Sequence, residues 1–356
     1  MGRVAVVGAG PIGLTAALEL AARGISSVVL EAKPALEPVG SRAIVLAHDA
    51  LATFRRLGCE EIPRKGVRLT RARTYLGETE LFTREFPPAL PDGLPTFVNI
   101  QQTYTEQALL RRAEQSKLVD VRFDTPVTDL GEIDAEYVIG ADGAHSTVRK
   151  LLGVGFPGKS FDDRFLIADI RAELPFPRDE RRFFFDPPSN PGRQILIHPQ
   201  PDGEWRIDWQ VPPETDPEEG LDERIRALVG DTPYEVVWLT AYRFHSRLAS
   251  RFRAGRVLLA GDAAHLMAPF GARGMNSGVE DATAAAQAIA SGELDRYEAE
   301  RRPAAIEHLR ITGATMRFMA PPTPLHRHWR NAILRGSLHV PQLRRFVNSG
   351  KLPTPK

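Results

Sequence analysis

At 356 residues the chain is long enough to bury a large core and to form two or three structural units. Its 46 basic residues nearly cancel its 45 acidic ones, for a formal net charge of +1, so nothing global points to a nucleic-acid partner. The single cysteine, Cys59, excludes an intramolecular disulfide and is expected to pack in the core, and no apolar run reaches the roughly 20 residues of a membrane span.

The first segment, VAVVGAGPIGLTAALELAARGISSVVLE, runs from Val4 to Glu31. Val4, Ala5, Val6 and Val7 are apolar without alternation, as in a parallel strand buried on both faces. Gly8 then allows a tight turn, Gly10 lets a pyrophosphate approach the backbone, and Gly13 lets the next helix pack on the strand. Residues 14–23 read as that helix, stopped by Gly24. Its free N–H groups and positive dipole end suit a diphosphate. Residues 27–30 form a second strand ending at Glu31, whose carboxylate can accept from ribose hydroxyls. This is a dinucleotide-binding β-α-β unit, and these residues admit NAD and FAD equally. Arg3 ahead of an apolar stretch superficially resembles a signal peptide, but glycines and Glu19 interrupt it, so a cytoplasmic protein is expected.

Further along, residues 51–57 read as a helix, 67–97 as short strands with prolines, 103–113 as a helix and 137–140 as a buried strand. Between 156 and 244 the pattern is strand-like, with runs at 183–185, 194–198, 205–211 and 234–239. In WRIDWQV, from Trp205 to Val211, apolar and polar residues alternate, as in a mainly antiparallel sheet with one face buried. A buried parallel strand returns at 256–260, a helix follows at 277–290, and the chain is mostly helical from 294 to 335. The nucleotide domain is therefore expected to be discontinuous, at 1–66, 98–155 and 245–293, interrupted by a sheet domain at 67–97 and 156–244. A C-terminal helical region and tail take 294–356, without an acid after Glu307, and are read as a solvated basic surface.

Two more motifs decide between the nucleotides. They are YVIGADGAHSTVRK, from Tyr137, and GRVLLAGDAAHLMAPFGARGMNSG, from Gly255. With the N-terminal glycines they resemble the three signatures of the class A FAD-dependent aromatic hydroxylases, the para-hydroxybenzoate hydroxylase-like fold. NIQQTYTEQALL, RRFFFDPPSNPGRQ and ERRPAAIEHLRITGATMRFM are most similar to the branch of 3-(3-hydroxyphenyl)propionate and phenol hydroxylase-like enzymes. The resemblance extends through almost the whole chain. It implies an α/β + β architecture: a Rossmann-type, glutathione reductase-like FAD-binding domain interrupted by a mainly antiparallel-sheet substrate domain.

By the same resemblance FAD lies on Gly8, Gly10, Pro11, Ile12, Gly13, Glu31 and Ala32, with Arg42 at the diphosphate and the Val127 backbone near the adenine. Gln102 belongs to the flavin region, Asp142 to the junction of FAD and NAD(P)H, and Asp262 to a ribityl hydroxyl. Gly274, Met275 and Asn276 fall where backbone N–H groups before a helix can stabilise negative charge on the flavin ring, and Pro269 frames its face. His198, Gln200 and Asp208 are candidates to lower the pKa of a phenol. Asp208 alternates with Ile207 and Trp209, which leaves open which face lines a pocket. His48, His198, His245 and His265 lack ligand spacing, so no metal is expected.

The implied activity is FAD-dependent monooxygenation of a small phenolic or polycyclic aromatic substrate, using NADH or NADPH and O2 through a flavin C4a-hydroperoxide. The cofactor carries that chemistry, and the protein supplies placement and water exclusion. Two other readings are a non-catalytic FAD-binding protein acting with a partner, and a flavin-dependent halogenase. The halogenase pattern has two tryptophans, of which Trp209 keeps only the second. Many members of the branch continue into a thioredoxin-like domain, which has no counterpart up to Lys356.

Overall fold

Val4–Val7 is buried at every position because parallel strands pair on both its edges, Ser27–Leu30 on one and Tyr137–Gly140 on the other. The computed structural model describes residues 4–36, 43–321 and 323–349. It separates into two units. The first comprises Met1–Arg64, Gln101–Lys159 and His245–Arg310; the second comprises Lys65–Ile100, Ser160–Phe244 and Ile311–Lys356. Residues from 294 onward are thus shared between the units, with the division inside the helix Leu294–Met319.

In the first unit the sheet order is Arg253–Ala254, Val257–Leu259, Tyr137–Gly140, Val4–Val7, Ser27–Leu30 and Val119–Arg122. All neighbours are parallel except the first pair. This is the Rossmann-type layer expected of the N-terminal pattern. The helix Pro11–Ala21 starts three residues before the apolar pattern suggests, because proline at the first helical position needs no acceptor and presets φ. It packs against the helix Arg273–Ser291. A Cβ on Gly278 would lie 2.6 Å from Ile12 Cδ1 across that contact, while one on Gly13 would lie 1.9 Å from the carbonyl oxygen of Gly8 in the preceding turn. Cys59 is buried, and burial pushes its thiol up to about 11.

Glu19, which interrupts the apolar N-terminal stretch, is fully buried in this unit. Its carboxylate accepts from Arg56 on the helix His48–Arg56, from Arg23 at 2.5 Å, and from the Thr283 hydroxyl at 2.8 Å. One carboxylate thereby ties three helices together. Burial by itself would raise its pKa, but the hydrogen bonds from Arg56, Arg23 and Thr283 outweigh it and hold the group below its ordinary 4.5.

The second unit is built on a sheet ordered Tyr234–Leu248, Gly158–Ala172, Glu204–Val211, Gln194–Pro199, Glu180–Phe185, Arg71–Leu76 and Thr79–Glu85. The pair Glu180–Phe185 with Arg71–Leu76 is parallel, within an otherwise mainly antiparallel arrangement. Trp205, Ile207, Trp209 and Val211 share one face with Ile195, Ile197, Leu166 and Ala168, and Ile225 and Val229 of the helix Leu221–Val229 cover them. The alternation in this strand therefore marks the apolar face correctly. The other face is buried as well: Arg206 is 1% and His198 5% exposed. Polar residues tolerate that position where they satisfy one another, as when Arg206 clamps both oxygens of Asp169 at 2.7 and 2.6 Å. At the sheet's far edge Phe318 and Leu334 from the C-terminal helices pack on Leu81 and Phe185.

Glu19→Gln leaves three donors facing a neutral group in a buried site and is expected to cost on the order of 3 kcal/mol in urea unfolding. Because the folded-state pKa is depressed, the wild-type advantage is complete above about pH 4.5 and vanishes as the pH falls through the folded value.

Candidate functional site

The glycine turn of the first unit is shaped by close approach. Gly8 has φ +104°, and a Cβ there would meet the Ala141 carbonyl oxygen at 2.6 Å. Gly10 is the opposite case: its φ of −70° suits any residue, and nothing lies within 4 Å of an added Cβ. That open space sits directly ahead of the helix Pro11–Ala21, whose first N–H groups lack helical acceptors. Glu31, at the end of its strand, accepts the Ala9 N–H at 2.7 Å and the Lys33 N–H at 3.0 Å, so its carboxylate braces the turn. Ala32 follows, exposed, and Val127 lies half-buried in the connection after Val119–Arg122. Arg42 lies outside the described residues.

Sequence-distant segments converge on this turn. Ile12 touches the positions where Gly261 and Gly278 would carry a Cβ, at 3.0 and 2.6 Å. Asp262 sits half-buried on the short turn Gly261–Ala263. Asp142 accepts from the Ser146 hydroxyl at 2.5 Å and the Val148 N–H at 3.0 Å, which fixes the start of Thr147–Leu151. Arg149 donates to the Ala144 and Ala263 carbonyls, each at 2.9 Å, and clamps the two loops together. Behind them the buried Asp281 accepts the Gly261 N–H at 3.1 Å and Arg301 Nε at 2.7 Å, and lies 2.6 Å from His265 Nε2. Burial alone would raise the Asp281 pKa, but His265 and Arg301 pull it below the ordinary value. Sequence reasoning missed Asp281 and Arg301. The available signal was an acid on the helix stripe otherwise made of Gly278, Val279, Ala282 and Ala285.

The helix after this turn begins at Arg273, four residues before the expected 277. Gly274, Met275 and Asn276 therefore lie in its first turn, and N–H groups in a first turn have no intrahelical acceptor. An added Cβ on Gly274 would meet nothing within 4 Å. Asn276 accepts the Ala47 N–H at 2.9 Å and donates to the Val45 carbonyl at 3.1 Å, which pins the helix start. Ala272 sits at φ +54°, a left-handed conformation costing about 1–2 kcal/mol for a residue with a Cβ. The exposed Pro269 accepts the Ala272 N–H at 3.0 Å, and Gln102 accepts the Ala43 N–H at 3.3 Å while donating to Glu106 at 2.7 Å.

In the second unit the register places His198 opposite Arg206, and Asp208 opposite Leu196 and Ile167. Asp208 thus shares the His198 face, turned away from Trp209. Their nearest atoms, His198 Nε2 and Asp208 Oδ2, are 3.8 Å apart, too far for a hydrogen bond. Burial, reinforced by Arg181 and Arg206, pushes His198 down to about 3. Burial pushes Asp208 up to about 7 against the pull of Arg206. At neutral pH the face therefore carries a neutral imidazole and a carboxyl close to half-ionised. His198 Nδ1, Asp208 Oδ1 and the amide atoms of Gln194 and Gln200 have no partner among the described residues. Leaving such buried groups unsatisfied costs about 1–3 kcal/mol each.

Residues 1–132 and 128–312 match the family described as FAD binding domain, and the chain belongs to that family. FAD is accordingly the dinucleotide that the glycine pattern left undecided, and the open space at Gly10 and Gly274 fits it. The chain is 30% identical over 375 residues to a 3-(3-hydroxy-phenyl)propionate/3-hydroxycinnamic acid hydroxylase of Mycolicibacterium gilvum, covering 97% of this chain and 65% of that protein. It thus spans about two thirds of that relative's length. It is 33% identical over 361 residues to a flavin-dependent monooxygenase of Mycobacteroides abscessus, covering 87% of this chain and 73% of the relative. The fold matches the crystal structure of p-nitrophenol 4-monooxygenase PnpA from Pseudomonas putida DLL-E4 with a TM-score of 0.80 at 26% identity, covering 98% of this chain and 97% of that one.

A side chain at Gly10 fills the open space without touching the protein. Gly10→Val is expected to fold with a loss of about 1 kcal/mol at most, yet to retain less than a tenth of the FAD by absorbance after gel filtration. Asp208→Asn tests the carboxyl. Because its folded pKa is raised from 3.8 to about 7, wild-type stability relative to the variant falls as the pH rises across that interval. Paired urea titrations at about pH 4 and pH 8 are expected to show the variant gaining only at the higher pH.

Proposed function

We propose that this chain is an FAD-dependent monooxygenase that hydroxylates a small aromatic substrate carrying a phenolic hydroxyl, with NADH or NADPH as reductant and O2 as oxidant. Bound FAD, once reduced, supplies the activation of O2. The observation that carries the reading is the second unit's buried polar face, where His198, Gln194, Gln200 and Asp208 hold unspent hydrogen-bonding atoms beside Leu196 and Ile167. A chain that only stored FAD has no use for it. The named activities of the relatives agree with this reading.

In the proposed reaction Asp208 accepts the phenolic proton, since a base with a pKa near 7 is matched to neutral pH. The neutral His198 offers a hydrogen bond to the same oxygen without competing for the proton. Leu196 and Ile167 flank the ring and keep water away. In the first unit the N–H groups of Gly274, Met275 and Asn276 lie at a helix start, where they stabilise negative charge on reduced flavin. Among the described residues no helix is long and apolar enough to cross a membrane. We place the enzyme in the cytoplasm, where NAD(P)H is plentiful.

The test is NADH and NADPH oxidation by the FAD-loaded protein with a panel of phenols, and mass spectrometry of the products. Substrate-stimulated oxidation with a hydroxylated, unhalogenated product is expected. In wild type kcat/KM rises with pH through a limb near 7; Asp208→Asn loses the limb and about a hundredfold in kcat/KM. Bound FAD whose reduction no phenol accelerates speaks for a binding protein instead.

A further inference from the structure

Two adjacent arginines on Glu180–Phe185 are treated oppositely by the fold. Arg182 lies 2.9 Å from Glu180, which also faces Arg73 at 2.7 Å and Arg71 at 3.8 Å, while Asp179 takes Arg71 at 3.2 Å. These charges are paired on the side of the sheet where Arg182 also packs on Phe176. Arg181 points the other way. It is level with Ala72, which is level with Arg84. Because Arg182 pairs with Ile197, Arg181 falls beside His198, which pairs with Arg206, which pairs with Asp169. One line across the sheet therefore reads Arg84, Ala72, Arg181, His198, Arg206, Asp169.

The charges on this line do not balance. Asp169 has both oxygens engaged by Arg206. Among the described residues the charged group that acts on Arg181 is Arg84, a second cation, and burial with that repulsion brings Arg181 down to about 10, so it stays protonated at neutral pH. Arg181 is half-buried, and a guanidinium partly withdrawn from water beside a second cation favours an anion. Two residues beyond His198, on the same face, Gln200 is fully buried with both amide atoms unpartnered among the described residues. Ala72, level with Arg181, contributes only a methyl group there. The next line along the sheet is Phe82, Thr74, Phe183, Leu196, Asp208 and Ile167, mostly apolar and aromatic.

We propose that Arg181, flanked by His198 and Gln200, binds an anionic oxygen group of the substrate, a carboxylate or a phenolate, while the aromatic ring lies along Phe183, Leu196 and Ile167. This rests on the monooxygenase reading and narrows it to aromatic anions, at the expense of neutral phenols and neutral polycycles. Arg181 is thus a specificity-determining residue. A carboxylate at Arg181 leaves a phenolic hydroxyl on the same ring for Asp208.

The test is isothermal titration of FAD-loaded wild type, Arg181→Met and Arg181→Lys with two matched pairs. 3-(3-Hydroxyphenyl)propionate against its primary amide probes the carboxylate, and 4-nitrophenolate against 4-nitroanisole probes the phenolate. In wild type the anion of one pair is expected to bind at least about tenfold tighter than its neutral partner, and that pair identifies the group. Arg181→Met is expected to weaken the anion about 10- to 100-fold with the neutral partner unchanged, and Arg181→Lys to recover part of the loss. If Arg181→Met keeps the anion preference, or wild type binds neutral and anionic partners equally, the inference falls and the monooxygenase reading stands. If wild type binds none of the four, both fall.

Discussion

Everything proposed for the first unit depends on one contact: the Ile12 side chain, in the first turn of the chain's first helix, against Gly261 and Gly278, which lie far along the chain. A Cβ at Gly278 would press on Ile12 Cδ1 at 2.6 Å and Cγ1 at 2.9 Å, so the isoleucine would have to shift. The first helix, the Gly261–Ala263 turn and the later helix meet at this contact. Polar ties reinforce the contact. Thr283 donates to Glu19, and Asp281 holds the Gly261 N–H, so one helix grips both the N-terminal helix and the turn bearing Asp262. The cradle proposed for the flavin thus rests on helix packing as well as on the separate motifs.

Buried carboxylates do two different jobs in this chain. Glu19 is met by Arg56 and Arg23, and Asp281 by His265 and Arg301, and these partners outweigh the cost of burial and keep both carboxylates ionised. Asp208 lies on a face where burial dominates and the nearest arginine is already committed to Asp169. Paired charge makes the first kind structural. Uncompensated burial makes the second kind responsive near neutral pH, the range in which proton transfer is useful. Arg181 extends the same contrast to cations, since Arg71, Arg73 and Arg182 beside it all have acids.

Much of this was legible beforehand, for physical reasons that differ from element to element. The strand Tyr137–Gly140 and the inward tryptophans of Glu204–Val211 follow from unbroken and alternating apolar runs, which depend only on near neighbours along the chain. Helix starts were less legible. Pro11–Ala21 and Arg273–Ser291 both begin before their apolar periodicity does, because glycine, proline and polar residues fill first turns that carry no apolar stripe. Glu19 read only as a break in hydrophobicity, since its partners Arg56 and Thr283 lie far off in sequence.

By itself the sequence determined the dinucleotide turn, the alternation of the sheet and, through three separated motifs, the family. Those properties are written in local geometry: glycine's freedom at Gly8, the period of two in a strand, an acid at a strand's end. Tertiary structure alone decided which carboxylates are held ionised, that Asp208 shares a face with His198, and that Arg181 faces no acid among the described residues. These depend on strand register and on burial by distant residues, and the energy of a charge is set by all of its surroundings, which no local stretch of sequence contains.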